Sequence, residues 1–346
     1  MSNPDFNATT TGTEVAAALA DQIRGKNVVL TGVSPSSIGS ATALAIASQS
    51  PATLVLASRT RSKIEEVVSE IEKLYPGVKT KVVVLDLSSI ESIKSAASEI
   101  AESLDHIDVL INNAGLNLQT RDVVTTPGGI KVDGQLYTNH VGPFLFTDLV
   151  LSKSVSSGNA IRIVNVSSHG HRLSPIRYSD LTFEKELYEG VPESERPPTQ
   201  VNPGFLTLKD GYPGFIGYGQ SKAANILHAV ELTQRLQKKD KNSFALSVHP
   251  GTINTGLMRN LDAEGKGTMG GTAPGGVWKT PDQGCATTVV AAFDPVFSSM
   301  IASKPCIYLA NCQLADNMLA AHAADVEAAS KLWQLTEAML GIRSAL

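Results

Sequence analysis

Seven short runs of β-branched and aliphatic residues punctuate the chain, at 27–31, 53–57, 80–85, 108–111, 161–166, 243–248 and 306–309. Between them lie longer stretches with helical spacing, near 38–49, 61–74, 89–104, 135–153, 218–238, 281–293 and 324–340. A strand that is apolar along almost its whole length must be covered on both faces, and interleaved helices supply that cover. The pattern predicts an α/β fold, a doubly wound seven-stranded parallel sheet with helices on both faces. Ligands of such sheets sit at the carboxyl ends of the strands. No internal repeat or heptad array competes with this arrangement.

The 346 residues are read as one domain over 25–346, preceded by a polar tail and short helix over 1–24. A hydrophobic content of 42% and a mean hydropathy of +0.01 fit a soluble globular chain. The formal net charge of −4, without a basic block, argues against nucleic acid as a partner. No apolar stretch approaches the roughly 18 residues of a membrane span. The N-terminal stretch lacks the basic and apolar regions of a secretory signal, so the expected compartment is the cytoplasm. The sequons at Asn7 and Asn165 are dismissed for the same reason. Three cysteines without CxxC spacing (Cys285, Cys306 and Cys312) read as reduced thiols rather than a disulfide framework or zinc site. Two segments break the alternation: 171–217, rich in Pro, Gly and aromatics, and the glycine-rich 254–280. Both follow strands at the expected ligand edge and read as substrate-covering elements.

The first strand runs into Thr31-Gly32-Val33-Ser34-Pro35-Ser36-Ser37-Ile38-Gly39 and then a helical pattern. A strand, glycine turn and helix start can aim backbone N–H groups at a diphosphate, with Gly32 permitting the turn and Gly39 a close approach. An ordinary strand-to-helix loop has the same composition. About 20 residues further on, where an NAD site carries an acid, the chain has Ser58 and Arg59, with Lys63 nearby. A guanidinium there suits a 2′-phosphate, which favours NADP over NAD. Asp86 ends the third strand, as an adenine acceptor or as a helix cap. Asn112-Asn113-Ala114-Gly115 ends the fourth, where small residues let a cofactor approach the backbone. Ile253 and Thr255 follow the sixth strand, where free backbone groups and a hydroxyl suit a carboxamide.

Tyr218 and Lys222 are four positions apart and so share one helix face. A free phenol titrates near 10, and a fixed positive charge moves it towards working pH. Asn139 lies on an otherwise apolar helix and needs a partner or water. Ser167 and Ser168 end the fifth strand, where a hydroxyl can hold a substrate oxygen. His169 and His171 lack a metal-ligand constellation and read as loop residues.

In order and spacing, these motifs resemble those of the short-chain dehydrogenase/reductase superfamily over about residues 25–340. RIVNVSS (162–168), NHVGPFLFT (139–147), VHPGTINT (248–255) and KLW (331–333) are similar to the retinol dehydrogenase and WW-domain oxidoreductase-like branch. The Ser-Pro inserted in the glycine loop resembles fungal members. The resemblance implies an NADP(H)-dependent enzyme interconverting a ketone or aldehyde and an alcohol on a small lipophilic substrate, as in secondary metabolism. It implies Tyr218 as proton donor or acceptor, and Lys222 as its tuner and a ligand of the nicotinamide ribose. It further implies Ser168 as the substrate anchor and Asn139 as holder of a relay water. Ile38 and Gly39 would meet the diphosphate region, Asp86 the adenine, Asn113 and Ala114 a ribose, and Ile253 and Thr255 the carboxamide. Pairing of two copies through the helices at 135–153 and 218–238 is a further implication. Two departures stand out: Ser37 occupies a place usually held by glycine in a longer loop, and the Ser168–Tyr218 segment is long. A non-catalytic NADP-binding regulator, or enoyl reductase or dehydratase chemistry, is the alternative on the same fold.

Overall fold

The structure is a computed structural model that describes residues 1–156 and 158–346. Its strands are β1 (Asn27–Thr31), β2 (Thr53–Ser58), β3 (Thr80–Val84), β4 (Val109–Asn112), β5 (Val123–Thr125), β6 (Lys131–Asp133), β7 (Arg162–Val166), β8 (Phe244–His249), β9 (Tyr308–Ala310) and β10 (Gln313–Leu314). The main sheet runs β10-β9-β8-β7-β4-β1-β2-β3. Every neighbouring pair in it is parallel except β9–β10. The seven expected strands thus form the doubly wound sheet, and an eighth, antiparallel strand is added at one edge. It arises from a two-residue turn in which Asn311 and Cys312 both have positive φ, +50° and +63°. Such mirror-image turns match the twist of a hairpin.

Residues alternate along each strand between two cores, as a period of two requires. Val29, Val55, Leu110, Ile163 and Ala245 face one layer, which holds the helices Ile90–Ser103, Gly142–Ser156, Gly214–Gln237 and Val326–Leu340. Val28, Leu54, Ile111, Val164 and Leu246 face the other, with Ile38–Ala47, Arg61–Leu74 and Pro281–Phe293. Because order reverses between β1 and β4, the crevice at their carboxyl ends is the switch point where such folds bind ligands.

The N-terminal stretch docks on this body. Val15, Ala16 and Ile23 are buried in the second core. Thr13 bonds Asp282 through its backbone N–H (3.1 Å) and its hydroxyl (3.0 Å). Gln313 Nε2 donates to the Phe6 carbonyl at 2.6 Å. At the opposite end, Trp333 is stacked edge-on to Phe144 at 4.5 Å between ring centres, with the Arg235 guanidinium 4.3 Å above it. The C-terminal helix therefore covers part of the two helices through which a pair of copies was expected to meet. Trp333 is 2% exposed. Trp333→Ala is expected to destabilise the fold by about 3–5 kcal/mol, read as a lower urea midpoint at unchanged slope; an unchanged midpoint would show that the helix is not part of the core.

Candidate active site

Tyr218 and Lys222 project from the helix Gly214–Gln237, which is buried on nearly every face. This helix seats closely on the turn after β7. A Cβ at Gly219 would stand 2.7 Å from the Gly170 carbonyl oxygen and 2.8 Å from Leu173 Cβ, so only glycine allows the approach. That contact sets the Tyr218 ring beside the Ser168 hydroxyl: a Cβ at Gly170 would stand 3.2 Å from the ring and 3.4 Å from Ser168 Oγ. Ser168 caps the following turn, accepting from Gly170 N–H at 3.1 Å. Its neighbour Ser167 points away and donates to the Lys222 carbonyl at 2.7 Å. The chain thus uses Ser167 to hold the helix and leaves Ser168 at the phenol.

Lys222 Nζ lies 5.6 Å from the centre of the Tyr218 ring and donates to the Val166 carbonyl at 3.0 Å. Among the described residues no carboxylate forms an ion pair with it. Burial pushes its ammonium down to about 8. Burial likewise pushes the Tyr218 phenol up to about 12, and the Ser168 hydrogen bond only partly opposes this. The expected lowering of the phenol by Lys222 does not appear in this structure, where desolvation of the phenolate dominates. At neutral pH the pair consists of a phenol and an ammonium.

Asn139 sits in a π-helical turn, Tyr137–Val141, that interrupts the α-helical register as such bulges do at functional sites. Its Oδ1 accepts from Leu116 N–H at 2.8 Å, and its Nδ2 donates to the Leu116 carbonyl and the Ser221 hydroxyl, both at 2.9 Å. Its backbone carbonyl accepts from Asn225 Nδ2 at 2.8 Å. The side chain is a bracket between the loop after β4 and the catalytic helix. A relay water at Asn139 can use the second lone pair of its backbone carbonyl or of Oδ1. Ser221 and Asn225 escaped the sequence reading, although both sit one helical turn from a residue it did select. Gly115 lies beside the ammonium; a Cβ there would be 3.2 Å from Lys222 Nζ.

The glycine turn is assembled by Asn113, whose Nδ2 donates to the Thr31 carbonyl at 2.9 Å and the Gly32 carbonyl at 3.2 Å. Its amide nitrogen is thus committed to the turn. Ala114 N–H donates to Thr31 Oγ1 at 3.2 Å. Gly32 has φ +78°, and a Cβ at Gly39 would collide with the Gly32 carbonyl. The longer loop is absorbed by Ser36, which adopts φ +57°. Ser37 caps the helix, its hydroxyl accepting from Ser40 N–H at 3.1 Å and donating to the Ser34 carbonyl at 2.7 Å. The Ser37 hydroxyl is thus turned into the helix start. Among the described residues, the N–H groups of Ile38 and Gly39 have no partner. Two free donors at a helix N-terminus, beside a glycine that a Cβ would fill, fit a cofactor diphosphate.

Other expected cofactor residues are spread along the same edge. Ser58 ends β2 opposite Val84, half-buried, while Arg59 and Lys63 are exposed. Arg61 is paired with Glu65 at 3.7 Å, an exposed contact of little weight. Asp86 is half-buried, and its Oδ1 accepts from Ser88 N–H at 2.9 Å and the Ser88 hydroxyl at 2.7 Å. It shapes the turn before the next helix, whose cap is Ser89 and not Asp86. Ile253 bridges to Lys279, and Thr255 accepts from Leu257 N–H at 3.4 Å. Gly284 faces both Ile253 and Ile38, which draws the loop after β8 towards the helix start.

A parallel sheet with a glycine turn at its switch point, and a buried Tyr and Lys beside a half-buried Ser, defines a Rossmann-type oxidoreductase that uses a nicotinamide cofactor. Residues 26–179 match the family described as short chain dehydrogenase. The oxidoreductase fscI of Fusarium equiseti is 33% identical over 252 residues, spanning 71% of this chain and 94% of that protein. Retinol dehydrogenase 11 of Homo sapiens is 31% identical over 331 residues, spanning 93% and 87%. An uncharacterized protein of Mycobacterium Paratuberculosis has a similar crystal structure, with a TM-score of 0.64 at 24% identity over 94% of this chain and 96% of that one. The chain belongs to the short-chain dehydrogenase/reductase family.

Gly39→Ala is expected to weaken binding of a reduced nicotinamide cofactor by at least about tenfold, measured by fluorescence titration. Unchanged affinity would contradict the placement of the cofactor at this turn.

Proposed function

We propose that the protein is an NADP(H)-dependent oxidoreductase that interconverts a ketone or aldehyde and an alcohol on a small lipophilic molecule in the cytoplasm. The observation that carries this reading is the buried Tyr218 phenol between the Ser168 hydroxyl and the unpaired Lys222 ammonium. When bound, the cofactor supplies a hydride to the carbonyl carbon. The Ile38 and Gly39 N–H groups would hold its diphosphate, and Lys222 its nicotinamide-side ribose. The phenol is protonated at neutral pH, the form needed to donate to a developing alkoxide. Ser168 Oγ–H orients the same oxygen, and the Lys222 charge stabilises the phenolate left behind. In the reverse direction the same phenolate accepts the alcohol proton.

Preference for NADP rests on Arg59, exposed at the end of β2 and without an acid before Glu65. A lipophilic substrate is supported by the wall that the two long segments build together. Phe215, Met258 and Leu261 are buried there against Phe205, Met269 and Trp278. Lys209 pairs with Asp262 across the two segments, and Asn260 Nδ2 reaches the Asn117 carbonyl at 3.1 Å. This wall borders the Tyr218 helix through Phe215.

With a panel of apolar ketones and aldehydes, Tyr218→Phe is expected to lower kcat by about 10²–10⁴-fold while NADPH still binds; turnover retained in this variant would overturn the mechanism. Arg59→Asp is expected to reduce kcat/KM for NADPH by about tenfold or more and to spare NADH. Equal effects on the two cofactors would contradict the NADP assignment.

A further inference from the structure

The turn that carries Ser168 is held by a side chain outside the catalytic set. His171 is fully buried within the turn His169–Leu173. Its Nε2 receives the Ala320 N–H at 3.1 Å. A backbone N–H can only donate, so Nε2 is the unprotonated nitrogen and the ring proton is on Nδ1. That proton is donated to the Ser168 carbonyl at 2.7 Å. The same carbonyl also accepts from His171 N–H at 3.1 Å, so its position is fixed twice by one residue. In the opposite sense, His322 Nε2 bonds the His171 carbonyl at 2.9 Å. Two imidazoles therefore tie the Ser168 turn to residues 320–322, some 150 positions later in the chain. The Tyr308 ring packs edge-on to His171 at 5.1 Å between centres and closes the far side.

We propose that His171 is a positioning residue for Ser168: its neutral ring, anchored on the Ala320 N–H, holds the Ser168 peptide so that the hydroxyl stays at the Tyr218 phenol. The proposal rests on the roles given above to Ser168 and Tyr218. Only a neutral ring can accept at one nitrogen and donate at the other, and burial favours that form by pushing the imidazolium down to about 4. An apolar ring of similar volume fills the space and makes neither bond. Asparagine places an amide N–H near the former Nδ1 and can restore the bond to Ser168 alone.

Three variants of the full chain test this. His171→Phe is expected to lower kcat by about tenfold or more, with NADPH affinity within about twofold of the parent. His171→Asn is expected to recover most of that loss. Ala320→Pro removes the distal donor without strain, because Ala320 already has φ −73° and Leu319 before it is extended at ψ 125°. It is expected to lower kcat by about threefold or more while remaining folded. Crystal structures should show Ser168 Oγ beyond hydrogen-bonding distance of the Tyr218 phenol in His171→Phe and back within it in His171→Asn. A kinetically unaltered Ala320→Pro, an Asn variant no better than Phe, or an undisplaced Ser168 would overturn the proposal. Failure of the parent reading looks different: Ser168→Ala would retain turnover although Ser168 is displaced in the His171→Phe structure.

Discussion

Burial of an ammonium group without a carboxylate partner is the constraint on which the site depends. Removing such a charge from water costs several kcal/mol even after relaxation. Among the described residues the compensation at Lys222 is a single bond to the Val166 carbonyl, and burial pushes its ammonium down to about 8, the sign of incomplete compensation. A group in this state gains from any negative charge that forms beside it. The phenolate left after proton donation by Tyr218 is such a charge. Burial pushes the phenol up to about 12 and the ammonium down to about 8, so each is raised in free energy as an ion; opposite charges formed side by side there would stabilise one another.

The surrounding structure serves to hold that pair rigidly. The helix Gly214–Gln237 is buried from Gly214 to Thr233, so Lys222 cannot swing to water. Its start is fixed by a buried network in which the Tyr212 hydroxyl donates to Asp133 at 2.6 Å and Gln135 Nε2 donates to both Tyr212 (2.7 Å) and the Gly214 carbonyl (2.9 Å). Desolvation pushes the Asp133 carboxyl up to about 6. Gln220, inside the Tyr–Lys motif, accepts from the N–H of Arg177, whose guanidinium is wholly buried and bonded to Asp180 at 2.7 Å. The long segment after Ser168 is thus anchored at both ends to the catalytic helix, which lets its aromatic wall face a substrate without loosening the chemistry.

Much of this was legible in the sequence, for physical reasons that also mark where legibility stops. Parallel strands buried on both faces, such as Asn27–Thr31, announce themselves by composition, and so the sheet could be read almost strand by strand. Strand β10 could not, because it is two residues long and its turn uses Asn311-Cys312 instead of a glycine dipeptide. Tyr218 and Lys222 were visible because helical spacing puts them on one face. Ser221, Asn225 and His171 act through contacts with backbone atoms distant in the chain, such as Asn225 with Asn139, and no local pattern encodes those. The departure at Ser37 has a local solution, a left-handed Ser36 and a serine cap. Composition alone does not reveal it, since Ser rarely adopts that conformation.

The most direct measurement of the account is the pH dependence of kcat/KM for carbonyl reduction, in the natural chain and in Lys222→Met. With the ammonium at about 8 and the phenol at about 12, activity should be level below pH 8 and fall above it as Lys222 loses its proton. The Met variant should be slow and level across the same range. A falling limb near pH 8 that survives in Lys222→Met, or its absence from the natural chain, would show that the buried ammonium is not what drives the phenol.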